Sequence, residues 1–105
     1  SNSEKEIEKF ISDLGVVVKV CDKKQLGGVE LDLFLPEYNV AIEYNGLYWH
    51  SEKRGKHKNY HIDKTIKCVN KKIQLIHIFS DEWLMKKNIV KDRIINLLHK
   101  NNFKL

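Results

Sequence analysis

The chain predicts an α/β (α+β) domain with a mixed four-stranded sheet flanked by helices, in the order helix, three strands, helix, strand, helix (αβββαβα). Three observations predict it. Apolar residues recur at helical spacing near the start, three β-prone segments separated by turn signals follow, and a fourth strand comes only after a second helical stretch. A meander makes the first three strands antiparallel, and the helical crossover returns the fourth to a mixed sheet.

Ile7, Phe10, Ile11 and Leu14 fall on one helical face, so residues 4–14 form an amphipathic helix ended near Gly15, with Glu8 on its flank. Residues 16–20 are short and β-branched and read as the first strand. Gly27-Gly28 marks the turn before the second strand, residues 29–35, in which Val29, Leu31, Leu33 and Leu35 alternate with Glu30, Asp32 and Phe34. Pro36-Glu37-Tyr38-Asn39 is a turn, and residues 40–44 return as the third strand. A second helix begins near Asn59 with Ile62, Ile66, Val69 and Ile73 as its apolar seam, which places His61 and Asp63 on opposite flanks. Residues 74–79 are the fourth strand, where His77 alternates with Leu75 and Phe79 and reads as a core histidine. Ser80 or Asp81 caps a last helix that buries Trp83, Val90, Ile94, Leu97 and Leu98.

With 105 residues the chain is expected to form one domain, 1–105, with Ser1-Asn2 read as a cloning remnant. Apolar residues at 42% and charged residues at 31% exclude general disorder. No apolar run approaches the roughly 20 residues of a membrane span, and no leader pattern precedes the first helix, so an intracellular setting is expected. Cys21 and Cys68 lack any zinc or disulfide spacing. A net charge of +5, concentrated in Lys53, Arg54, Lys56 and Lys58 just after Tyr48-Trp49, points to a polyanion. A solvated basic loop over packed aromatics accounts for the same pattern.

If Leu35 pairs with Val40, the register opposes Leu33 to Ile42, Leu31 to Tyr44 and Asp32 to Glu43. Directly opposed residues have Cβ atoms about 4.5–5.5 Å apart, where two like charges destabilise a sheet unless a cation or proton is shared. Asp32 and Glu43 are therefore candidate ligands of Mg²⁺, with Glu30 outside the pair. His50, seven residues past Glu43, titrates in the range of a general base, and a loop could return it over the acidic face. Two acids, a base and a basic segment are the parts of a metal-dependent nuclease; a solvated acidic edge and a surface histidine are the plainer reading.

The stretch Asp32, Glu37-Tyr38, Val40 to Ile42 and Gly46 to His50 resembles the core of the very short patch repair (Vsr-like) endonucleases and of the phage-type homing endonucleases of the EDxHD group. The shared pattern is Asp-x-x-x-x-Glu-Tyr, an apolar strand, then Gly-x-aromatic-Trp-His. Ile7-Glu8-Lys9 is similar to the family's first helix, which carries a glutamate near the site.

The resemblance implies the restriction-endonuclease-like fold of the PD-(D/E)XK superfamily and Mg²⁺-dependent cleavage of double-stranded DNA, with Mn²⁺ able to substitute. It implies Asp32 as a metal ligand, His50 as the base, Glu8 as an orienter of water, and Tyr48-Trp49 as aromatics pushed into the duplex. Glu43 and Asn45 fall on the (D/E)xK positions, so an amide replaces the lysine there and His50 must stand in for its charge. Leu47, Glu52 and Arg54 stand where the repair enzymes hold zinc, so no structural zinc is expected and the homing group is the nearer relative. The family's second-helix aspartate aligns with His61 without a gap and with Asp63 after a slip. A domain of this size also implies recognition segments elsewhere or a second copy. The alternatives are a nucleic-acid-binding module on a decayed nuclease fold, a mismatch-nicking repair enzyme, and an interaction domain without DNA affinity.

Overall fold

The computed structural model describes residues 2–46 and 62–105. Helix α1 (Asn2–Asp13) leads into strands β1 (Lys19–Leu26), β2 (Val29–Leu35) and β3 (Val40–Asn45). Helix α2 (described over 62–70) crosses to β4 (Gln74–Phe79), followed by α3 (Ser80–Met85) and α4 (Lys87–Lys100). The sheet order is β1-β2-β3-β4, antiparallel between the first three strands and parallel between β3 and β4. This is the mixed four-stranded α+β architecture that the sequence predicts.

One side of the sheet packs Leu33, Leu35, Val40, Ile42 and Ile78 against Ile7 and Ile11 of α1 and against Trp83, Val90, Ile94 and Leu98. The Trp83 indole N–H is not stranded in that core, because it donates to Glu6 Oε1 at 2.8 Å and so ties α3 to α1. A smaller cluster holds Leu26, Leu31, Phe34, Ala41, Cys68 and Ile73. The β1–β2 turn is Gly27-Gly28, with φ of +64° and +107°, a left-handed pair suited to a two-residue hairpin. The β2–β3 loop closes with Leu35 opposite Val40, as expected, and Asn39 takes the left-handed position at φ 53°.

Three expectations are corrected. The first strand is not residues 16–20: Val16 is buried ahead of it, and β1 runs through Lys19, Lys23 and Lys24 on the sheet edge. Its register shifts between Asp22 and Leu26, where Asp22 Oδ1 accepts the amides of Lys24 and Gln25. The last helix is two helices broken at Lys86 (φ −136°, ψ 42°), although every residue predicted to be buried on it is buried.

The third correction concerns α2. Of the predicted seam only Ile73, just past the end of the helix, is buried (6%); Ile62, Ile66 and Val69 are 48%, 53% and 66% exposed, whereas Lys64 (3%) and Cys68 (0%) face inward. The sheet surface beneath α2 carries carboxylates, so a lysine there relieves charge that an isoleucine would leave unpaired. Ile66→Ser is therefore expected to change stability by no more than about 0.5 kcal/mol, the scale of surface substitutions. Cys68→Ser, which buries a hydroxyl, should cost about 1–3 kcal/mol. Urea melts showing the opposite ranking would contradict this orientation of α2.

Candidate active site

The regular pairing of β2 with β3 runs from Leu35–Val40 to Leu33–Ile42 and stops. Beyond it the strands are bridged by the two acids themselves. The Asp32 amide donates to Glu43 Oε2 at 2.7 Å, and the Tyr44 amide donates to Asp32 Oδ2 at 2.9 Å. Asp32 and Glu43 thus do not face one another as an ordinary ladder pair. Each carboxylate takes a main-chain donor of the opposite strand, which satisfies backbone groups left where the ladder stops and holds the two acids close enough for the Asp32 charge to act on Glu43.

Burial raises the pKa of both acids, opposed at Asp32 by the Tyr44 amide and then the Lys64 charge, and at Glu43 by the Asp32 amide and then Lys64. The Asp32 charge pushes Glu43 further up. The compensating cation comes from α2: Lys64 Nζ pairs with Glu43 Oε1, and both side chains are almost wholly buried. A positive charge is therefore present beside Glu43, carried on the neighbouring helix. Sequence reasoning missed Lys64 because it placed the isoleucines inward. The signal that could have found it was the pair Lys64 and Cys68, one helical turn apart, facing a carboxylate pair that needed a counter-charge.

His77 is a second residue that the sequence reading misplaced. It is the cross-strand neighbour of Glu43 on the parallel β3–β4 ladder, half-buried on the carboxylate face rather than in the core. Its Nδ1 lies 2.8 Å from Asn45 Nδ2, and burial, then the Lys64 charge, lower its pKa while Asp32 raises it. On α1 it is Glu4, one turn before Glu8, whose carboxyl group feels Asp32 and Glu30; burial first, then Asp32, raises its pKa. Glu8 is half-buried one turn further along the same helix. Asp63 is exposed, a residue away from inward-facing Lys64. His50, His61, Tyr48, Trp49, Lys53, Arg54, Lys56 and Lys58 lie outside the described residues.

Among the described residues no group of three or more His, Cys, Asp or Glu side chains forms a ready-made metal cage. The pair that is present suits a hard cation that keeps several waters and binds through one or two carboxylates, as Mg²⁺ does. Asp32 has Oδ2 engaged by Tyr44, and its Oδ1 accepts no hydrogen bond among the described residues. Glu43 offers the oxygen that it shares with Lys64.

No family model and no curated protein matches the sequence. Among solved structures, the chain is similar to the catalytic domain of the homing endonuclease I-Bth0305I, with a TM-score of 0.76 and 23% identity. The likeness covers 94% of this chain and 95% of that one and concerns the fold. Among the described residues no helix is long and apolar enough to cross a membrane.

Proposed function

We propose that the chain is the catalytic domain of a Mg²⁺-dependent DNA endonuclease of the Vsr-like EDxHD group in the PD-(D/E)XK superfamily, nearer to the homing enzymes than to the mismatch-nicking ones. The observation that carries this reading is the irregular end of the β2–β3 pairing, where two desolvated carboxylates are held by main-chain hydrogen bonds and one of them is paired with a buried lysine. A purely structural domain gains nothing from that arrangement, because burying like charges costs stability. The similarity of fold to a homing endonuclease catalytic domain supports the same reading.

Asp32 and Glu43 would hold the cation. When bound, it supplies Lewis-acid stabilisation of the charge that develops on the phosphate and the leaving oxygen. Lys64 adds a fixed positive charge beside Glu43 and opposes the rise that burial imposes on the pKa of both acids. His50 takes the proton of the attacking water, and Glu8 orients that water. His61 or Asp63, following the family alignment, assists at the site. Lys53, Arg54, Lys56 and Lys58 hold backbone phosphates, and Tyr48 and Trp49 stack on or wedge between bases. Additional recognition segments or a second copy would supply target specificity, in an intracellular setting.

The test is cleavage of supercoiled plasmid. Nicked or linear product is expected with Mg²⁺ or Mn²⁺ and none after EDTA, with Asp32→Ala and His50→Ala inactive. Salt-dependent DNA binding without cleavage under any divalent ion would instead establish a binding module. Full activity of either variant would remove its residue from the mechanism.

A further inference from the structure

Strand β1 forms one open edge of the sheet, and that edge is basic although it borders acids. Lys19, Lys23 and Lys24 are all exposed on it. Between them lies Cys21, also exposed, whose thiol pKa is raised first by the Glu30 charge and further by those of Asp32 and Glu4. The lysine-bearing strand therefore runs beside the carboxylate group that contains Asp32.

The two adjacent lysines do not sit on regular strand. From Asp22 to Leu26 the chain advances four residues while β2 advances two, from Val29 to Leu31, so β1 carries two extra residues there. Their backbone is pinned. Asp22, itself buried, accepts the Lys24 amide at 2.9 Å and the Gln25 amide at 3.1 Å on Oδ1, and the Lys23 carbonyl accepts the Gly28 amide at 2.8 Å. Bulges of this kind re-aim side chains at sheet edges and beside active sites. With the turn already fixed, a ligand of Lys23 and Lys24 has only two side chains left to order.

Lysines on this chain pair with acids where stability is served, as Lys9 does with Asp13, Lys64 with Glu43 and Lys87 with Glu6. The three on β1 form no ion pair among the described residues. Lysines and bulges also keep an edge strand from pairing with another chain. The opposite edge, β4, does without lysine, and there the Arg93 guanidinium covers the His77 carbonyl at 3.2 Å. Edge protection in this fold thus does not call for a row of unpaired ammonium groups.

We propose that Lys19, Lys23 and Lys24 bind backbone phosphates of the duplex whose scissile phosphate lies at Asp32 and Glu43. The contact rests on the DNA-endonuclease reading. Its chemistry is charge alone, so it sets where the duplex lies without reading sequence. It also offsets a cost of the site, because the carboxylates repel a polyanion and a cationic border beside them restores attraction.

The test is the salt dependence of binding to a short fluorescent duplex of arbitrary sequence, followed by anisotropy in EDTA. Each phosphate neutralised contributes about 0.9 to the slope of log K against log salt, so Lys23→Gln/Lys24→Gln should lower the slope by about 2 and Lys19→Gln by about 1. Affinity should fall equally for unrelated sequences. Lys100→Gln/Lys104→Gln is the control, since Asn101 holds that end of α4 to Gln74, the first residue of β4, whereas Glu43 lies opposite His77 in the second half of the strand. Its slope should match wild type. An unchanged slope in Lys23→Gln/Lys24→Gln would overturn the proposal, and self-association of that variant in light scattering would assign the lysines to edge protection instead. An equal loss in the control would mean that net charge and not this edge is felt, which also overturns it. Cleavage decides the other reading separately: wild-type protein that binds through these lysines but cuts nothing with Mg²⁺ would end the endonuclease reading and leave the phosphate contact standing.

Discussion

Lys64→Met should destabilise the fold by about 3–5 kcal/mol at neutral pH, the cost of leaving a buried charge without its partner. Lys64 and Glu43 are each 3% exposed, so water cannot replace the lost ammonium. Among the described residues the carboxylate then keeps the Asp32 amide alone, and the neighbouring Asp32 charge continues to repel it. Because burial already raises the Glu43 pKa, removing its cation raises it further, and the variant escapes by protonating. The deficit should therefore shrink as pH falls into the carboxylate range, and Glu43→Gln/Lys64→Met should recover much of it. Urea melts at several pH values measure all three proteins. A single variant as stable as wild type would mean that the pair is not formed. Cleavage by Lys64→Met, assayed below its unfolding temperature, should fall by about 10²–10³-fold if the lysine stabilises transition-state charge, and unchanged activity would remove it from the mechanism.

Much of the positioning of this site was legible because it depends on local rules. The Leu35–Val40 closure follows from the loop between two alternating strands, and it alone brings Asp32 near Glu43. Gly27-Gly28 and the helical crossover were equally plain, since one needs positive φ and the other follows from chain connectivity. What escaped was set by neighbours distant in sequence. The apolar residues of the second helical stretch point to a seam at Ile62, Ile66, Val69 and Ile73, yet α2 turns Lys64 and Cys68 inward, where Lys64 meets Glu43 of a strand distant in sequence. The alternation in β4 was read correctly, but whether the His77 face was core or cleft depended on what β3 placed beside it. Strand β1 was misjudged because an edge strand tolerates lysines and needs few apolar residues. The break at Lys86 carries neither glycine nor proline, and nothing local announces it. Glu4, one turn before Glu8 on α1, lies close enough to Asp32 to feel its charge, which the spacing of apolar residues on an amphipathic helix does not announce.

Asp32→Asn should separate function from stability. Loss of a principal cation ligand is expected to lower Mg²⁺-dependent cleavage by about 10³-fold or more, beyond the 10²–10³ that one missing transition-state donor costs. The same variant should unfold at a higher temperature than wild type near pH 7. Burial holds the folded-state pKa of Asp32 above its ordinary value, so the folded protein takes up a proton more readily than the unfolded chain. The contribution of Asp32 to stability is then most favourable below its unfolded pKa and is lost as pH rises through the raised folded one. Asparagine removes that loss while its side-chain oxygen can still accept the Tyr44 amide. The gain should amount to a few degrees at neutral pH and vanish in acid, where the wild-type carboxyl is already neutral. Added Mg²⁺ should raise the wild-type midpoint by mass action and leave the variant's nearly unchanged. Calorimetry of both proteins at pH 4 and pH 7, with and without Mg²⁺, measures each of these. A variant less stable at pH 7 would mean that the hydrogen bond to the Asp32 carboxylate outweighs the cost of burying it, and an equal response to Mg²⁺ would place the cation elsewhere.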